Sequence, residues 1–103
     1  MIVIQAPGIP AAMFEAGFTI GRSSADERRH CDVTVDDDYA SAPHARFYFR
    51  DGIWFVEDLG STNGTWLNWQ SIWEPGTRVY GPAPLAKGDK LRIGRTVLTV
   101  VPD

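Results

Sequence analysis

The chain has 103 residues, with 10 Lys+Arg against 13 Asp+Glu, and 44% of its residues are hydrophobic. That length fits one domain, 1–103, able to bury about 60–65% of its unfolded surface, which disfavours a two-lobed enzyme around a deep cofactor. A formal net charge of −3 argues against the basic stripe of general nucleic-acid binding, and no apolar run nears the roughly 18 residues of a membrane span.

Ten glycines and seven prolines are spread along the chain as punctuation, which predicts many short elements joined by turns. Between them apolar residues recur at period 2 or as short β-branched and aromatic runs. In chain order these predict strands over 3–5, 18–20, 33–35, 44–50, 53–57, 65–67, 78–80, 90–93 and 96–101. Asp51-Gly52 carries the strongest hairpin signal, and Gly94-Arg95 is a second candidate turn. No window of about 12 residues sustains a 3.6-residue apolar stripe, so no long helix is expected. The expected fold class is all-β, an antiparallel β-sandwich whose loops gather at its two ends. A stiff scaffold presenting polar loops is suited to binding.

Several chemistries lack the residues they need. Cys31 is the single cysteine, so neither an internal disulfide nor a CxxC zinc pair can form, and a reducing, cytoplasmic setting is expected. The phosphate loops GxxxxGK[ST] and GxGxxG are missing. Asp36-Asp37-Asp38 lacks the alternating spacing of a calcium loop and reads as a solvated turn. Ser41, His44 and Asp58 are the residue types of a hydrolase triad, but no strained Gly-x-Ser-x-Gly elbow surrounds the serine. The expectation is no catalysis, no cofactor, no metal and no small-molecule substrate.

Three loops hold small hydrogen-bond donors and one arginine. Gly21-Arg22-Ser23-Ser24 follows a strand, Ser41-Ala42-Pro43-His44 precedes the longest one, and Asp58-Leu59-Gly60-Ser61-Thr62-Asn63-Gly64-Thr65 links two others. In this order and spacing, over most of the chain, they resemble the forkhead-associated (FHA) domain, most closely those of actinobacterial signalling and cell-division proteins. The resemblance implies a sandwich of about eleven strands whose loops at one end grip a phosphothreonine peptide. It further implies that Arg22, Ser41 and Thr62 bind the phosphate and that Asn63 holds the peptide backbone. Gly21, His44, Gly64 and Thr65 would shape the site. Ala42 and Pro43 stand where the family often has polar or basic residues, so Arg28, Arg29 and His30 are candidate auxiliary contacts.

The residue types suit that task. A phosphothreonine is nearly dianionic at neutral pH and offers three acceptor oxygens. Arginine presents a planar fork of donors and never loses its charge. The Ser41 and Thr62 hydroxyls can donate without a further charge to desolvate, and an asparagine amide both donates and accepts. Blander roles compete for each residue. Arg22 could sit in a surface ion pair, Ser41 and Thr62 could cap turns, Asn63-Gly64 could be a plain hairpin turn, and His44 could be structural. Trp66 and Trp73 read as core or rim packing, while Trp69, in a loop, is the candidate exposed anchor.

The reading is a phosphothreonine-binding interaction module that turns Ser/Thr kinase output into recruitment of a phosphorylated protein. Nucleic acid and membrane insertion are not expected. The alternative is a phospho-independent interaction module using an aromatic or sheet surface.

Overall fold

The computed structural model describes residues 2–6 and 9–101. Eleven strands appear there: β1 (Ile2–Ala6), β2 (Ile9–Phe14), β3 (Phe18–Arg22), β4 (Val33–Val35), β5 (Ala45–Arg50), β6 (Ile53–Asp58), β7 (Thr65–Leu67), β8 (Thr77–Val79), β9 (Ala83–Pro84), β10 (Lys90–Ile93) and β11 (Thr96–Val100). They form a six-stranded sheet, β2-β1-β11-β10-β7-β8, and a five-stranded sheet, β4-β3-β5-β6-β9. A single 3-10 turn, Glu27–Arg29, is the only helical element among the described residues.

The two sheets share one apolar core, built by alternation along each strand. In β5, Ala45 and Phe47 are buried while Arg46 is exposed, and in β10, buried Leu91 and Ile93 alternate with Lys90 and Arg92. Phe47 lies at the centre, fully buried, with the Phe18 ring edge-on at 4.8 Å. Phe47→Ala should cost about 3–5 kcal/mol, a large part of the stability of a domain this size. A urea unfolding curve with a matching fall in midpoint checks it.

The structure departs from the sequence expectation at three places. β2 and β9 were not anticipated: Pro10, Ala11 and Ala12 lack strand propensity, and β9 is two residues ending in Pro84. Both are edge strands, where a proline costs no ladder bond on its open side. The third difference is direction. β3 and β4 pair in parallel, Ile20 opposite Val33, so the second sheet is mixed rather than wholly antiparallel. The loop 23–32 with its 3-10 turn makes the crossover that a parallel pair requires. The Asp51-Gly52 turn forms as expected between β5 and β6, with φ of 53° and 82° at its two residues.

Candidate functional site

The loops after β3, β4 and β6 and the β10–β11 turn are tied together by hydrogen bonds. β3 delivers Arg22 at its last position, and the Arg22 N–H donates to the Ser41 carbonyl at 2.9 Å. The His44 N–H donates to the Ile20 carbonyl at 2.9 Å, so the β4–β5 loop lies flat on the end of β3. Gly21 makes that approach possible. A Cβ there would stand 2.5 Å from the Ser41 oxygen and 2.9 Å from the Cys31 sulfur, closer than any side chain tolerates.

His44 is fully buried and joins two loops. Its Nδ1 accepts from the Ser41 N–H at 2.9 Å, which leaves Nε2 to carry the proton and donate to the Gly64 carbonyl at 2.9 Å. Burial pushes the imidazole pKa down, and this outweighs the opposing effects of the Gly64 carbonyl and the Asp58 and Asp37 carboxylates. The ring is therefore neutral, with both nitrogens engaged. No triad exists: Ser41 meets His44 through its backbone N–H, and its Oγ accepts from the Thr62 N–H at 3.2 Å.

Asp58, at the end of β6, folds the β6–β7 loop around itself. Its Oδ2 accepts from the Gly60 N–H at 3.0 Å and the Ser61 N–H at 2.9 Å, while Oδ1 accepts from the hydroxyls of Ser61 and Thr65. Ser61 Oγ in turn accepts from the Gly64 N–H at 3.0 Å. Gly64 and Thr65 are buried in this network. Asn63 is held from two sides: its Nδ2 donates to the Tyr39 carbonyl at 2.7 Å, and its carbonyl accepts from the Trp66 indole at 3.1 Å.

The result is a cleft of about 500 Å³ that Arg22, Ser41, Thr62 and Asn63 all line, together with Arg29, Asp38 and Tyr39. The Arg22 guanidinium donates to the Asp38 carbonyl at 3.3 Å, and among the described residues no carboxylate lies within ion-pair distance of it. The surface ion pair that was its bland alternative is not formed. Arg28 and Arg29 part company: Asp26 takes Arg28 at 3.2 Å, whereas Arg29 stands 4.0 Å from that carboxylate and reaches the cleft wall. Of the two, Arg29 alone is among the residues that line the cleft.

The aspartate run is not a plain solvated turn. Asp36 and Asp38 are exposed, but Asp37 is buried and receives the Tyr39 N–H, the Arg95 N–H and the Thr96 hydroxyl. Burial pushes its pKa up, yet these donors overcome that and hold it below the usual carboxylate range. Asp37 thereby docks the β10–β11 turn onto the site. Sequence reasoning missed this residue, and only neighbours 58 and 59 positions away reveal it. Asp58 had a local signal, an aspartate followed two and three residues later by Gly60 and Ser61, which is an Asx-turn pattern. The tryptophans also differ from expectation. Trp69 is half-buried beneath Arg92 and against Trp66, whereas Trp73 is 85% exposed.

An uncompensated guanidinium beside neutral donors at the end of a stiff scaffold can hold an anion. Cys31 is free and buried, and burial pushes its thiol pKa up, with the Asp32 charge adding to the effect.

Comparison with known proteins agrees. FhaB of Mycobacterium tuberculosis, described as an FHA domain-containing protein, is 43% identical over 70 residues, covering 68% of this chain and 41% of that protein. The chain thus spans about two fifths of that relative. Two solved structures share the fold. The FhaA FHA domain, crystallised with the intracellular domain of Rv3910, superposes with a TM-score of 0.75 at 22% identity, covering 97% of this chain and 99% of that one. The N-terminal FHA domain of Saccharomyces cerevisiae Rad53p, solved with a phosphothreonine peptide, gives 0.71 at 21% identity, covering 96% and 92%. The FHA-domain family model matches residues 18–94, a span holding every loop of the cleft, and the chain belongs to that family.

Proposed function

We propose that this chain, as one domain over 1–103, binds a phosphothreonine-containing segment of another protein and recruits that protein in response to a Ser/Thr kinase. Arg22 and Ser41 anchor the phosphate, Thr62 completes the cradle, and Asn63 orients the peptide backbone. The observation that carries the reading is the Arg22 guanidinium, free of carboxylates among the described residues, in one cleft with those three side chains.

The chemistry follows from the bonds already made. Ser41 Oγ accepts from the Thr62 N–H, which holds it in place and leaves its hydrogen for a phosphate oxygen. Asn63 spends its Nδ2 on Tyr39 and keeps Oδ1 for a peptide N–H. The donors are held by the protein before the ligand arrives, so little ordering entropy is lost on binding. FHA domains are interaction modules, and His44 has no nitrogen left to act as a base. Among the described residues no helix is long and apolar enough to cross a membrane. The cytoplasm, where kinase and partner would meet, is the proposed setting.

Titration with matched threonine and phosphothreonine peptides tests the reading. Binding only of the phosphorylated form supports it, and equal affinity for both overturns it. The two neighbouring arginines give a finer prediction. Arg29→Glu should weaken the phosphopeptide about fivefold at low salt, while Arg28→Glu, already paired with Asp26, should change it less than twofold. Fluorescence anisotropy on both variants checks this order.

A further inference from the structure

Apart from Arg22, the arginines of this chain differ in whether a carboxylate meets them, and Arg46 has both a carboxylate and the Tyr48 ring, 4.9 Å away. Arg28, Arg29, Arg46 and Arg50 each lie within 4.0 Å of a carboxylate. Outside the cleft, Arg78, Arg92 and Arg95 have no such partner among the described residues, and each lies instead over an aromatic ring. Arg95 is 3.9 Å from the Tyr39 centroid, Arg92 4.2 Å from Trp69, and Arg78 5.1 Å from Tyr80 and 5.9 Å from Trp66.

The sheet register sets them in a row. Arg92 on β10 is opposite Trp66 on β7, which is opposite Arg78 on β8. Leu91, Ile93, Thr65 and Val79, alternating with them, are buried, so the row faces outward. Arg92 Nε donates to the Gly94 carbonyl at 2.7 Å, and Arg95 follows at the β10–β11 turn, over the ring of Tyr39, a residue of the cleft wall. In the middle of the row the Trp66 indole donates to the Asn63 carbonyl. The six strands of this sheet contain Arg78, Lys90 and Arg92 and no Asp or Glu, in a chain whose net charge is −3.

We propose that this trail of guanidiniums receives a run of Asp and Glu residues flanking the phosphothreonine in the same partner segment. The inference rests on the phosphothreonine reading above and names the class of segment preferred. A guanidinium lying over an aromatic ring is fixed in position and keeps N–H donors at its edge for a carboxylate. Adjacent strands are about 4.8 Å apart, so Arg92 and Arg78, two strands apart, span about 10 Å, the reach of roughly three extended residues. A run of about three or four acidic residues therefore has the length to touch both arginines, and Arg95 over Tyr39 connects the row to the cleft wall.

The test uses phosphothreonine peptides of equal length with a neutral Ser/Gly flank, an acidic flank before the phosphothreonine, or an acidic flank after it. At about 50 mM salt one acid-flanked peptide should bind about tenfold tighter than the neutral one, and about 0.5 M salt should remove most of that advantage. Arg92→Gln and Arg95→Gln should each cut the advantage two- to threefold and leave the neutral peptide unchanged. Arg78 packs against Gly64, so Arg78→Gln is scored only if its melting curve shows a folded domain, and the other two variants decide. If the neutral phosphopeptide binds and its unphosphorylated form does not, yet neither acidic flank helps, the trail is overturned and the phosphothreonine reading stands. If phosphorylation makes no difference to the neutral peptide, the reading itself fails. Concentration-dependent dimerisation that Arg92→Gln abolishes would give the face to a second copy and overturn the proposal.

Discussion

Arg22→Ala is expected to lower phosphothreonine-peptide affinity about a hundredfold, corresponding to about 3 kcal/mol, while leaving the melting temperature nearly unchanged. The size follows from the site's electrostatics. Ser41, Thr62 and Asn63 bring no charge to the cleft, and Arg29 sits 4.0 Å from the Asp26 carboxylate. Arg22 alone in that cleft faces the ligand with no carboxylate within ion-pair distance among the described residues. Removing it leaves a nearly dianionic group facing neutral donors and only Arg29, which already has Asp26 at 4.0 Å. The small effect on stability follows because its side chain makes one 3.3 Å bond to the Asp38 carbonyl, and water can replace that bond. Calorimetric titration measures the affinity and a thermal melt the stability. An Arg22→Ala variant that binds as tightly as the parent would remove Arg22 from the phosphate site.

His44→Ala should act in the opposite manner, destabilising the domain by about 3–4 kcal/mol and weakening binding as a consequence. It empties a fully buried position and strips partners from the Ser41 N–H and the Gly64 carbonyl together. The same ring makes stability depend on pH. Its folded pKa lies below the unfolded value of about 6.5, because burial penalises the charged form more than Gly64, Asp58 and Asp37 favour it. In the window between those two values the unfolded chain binds more protons, so stability rises with pH there. The contribution is complete above about pH 6.5 and is lost as the pH falls toward the folded pKa. Melting temperatures of the parent protein should therefore drop from about pH 7 to pH 5, and that slope should flatten in His44→Gln. Phosphopeptide affinity should fall over a similar range for a separate reason, since the phosphate itself becomes a monoanion near pH 6. The melting series, run without peptide, isolates the histidine.

The strands at 33–35, 65–67 and 90–93 have the same bounds in sequence and structure, and both predicted hairpin turns form. Those features rest on side-chain alternation and turn residues, which act over a few positions. The parallel β3–β4 pair did not show, because period-2 alternation carries no information about strand direction. β2 stayed hidden behind Pro10 and two alanines, and it is a strand because β1 offers it an open edge. In the site, Arg22, Ser41, Thr62 and Asn63 were singled out through a motif, and the structure brings all four to the lining of one cleft. The parting of Arg28 from Arg29 was not legible. It depends on where Asp26 sits at the head of the 3-10 turn.

By itself the sequence determined the all-β class, the short strands and the stock of donors at the loops, because each is set by neighbours along the chain. The tertiary structure alone decided that Asp37 is buried as the anchor of the β10–β11 turn, that Trp69 is covered while Trp73 is open, and that three arginines rest on aromatic rings without carboxylates among the described residues. Those outcomes depend on which groups meet through space, and a charge or a ring is neutralised, covered or left free only by the residues that folding brings against it.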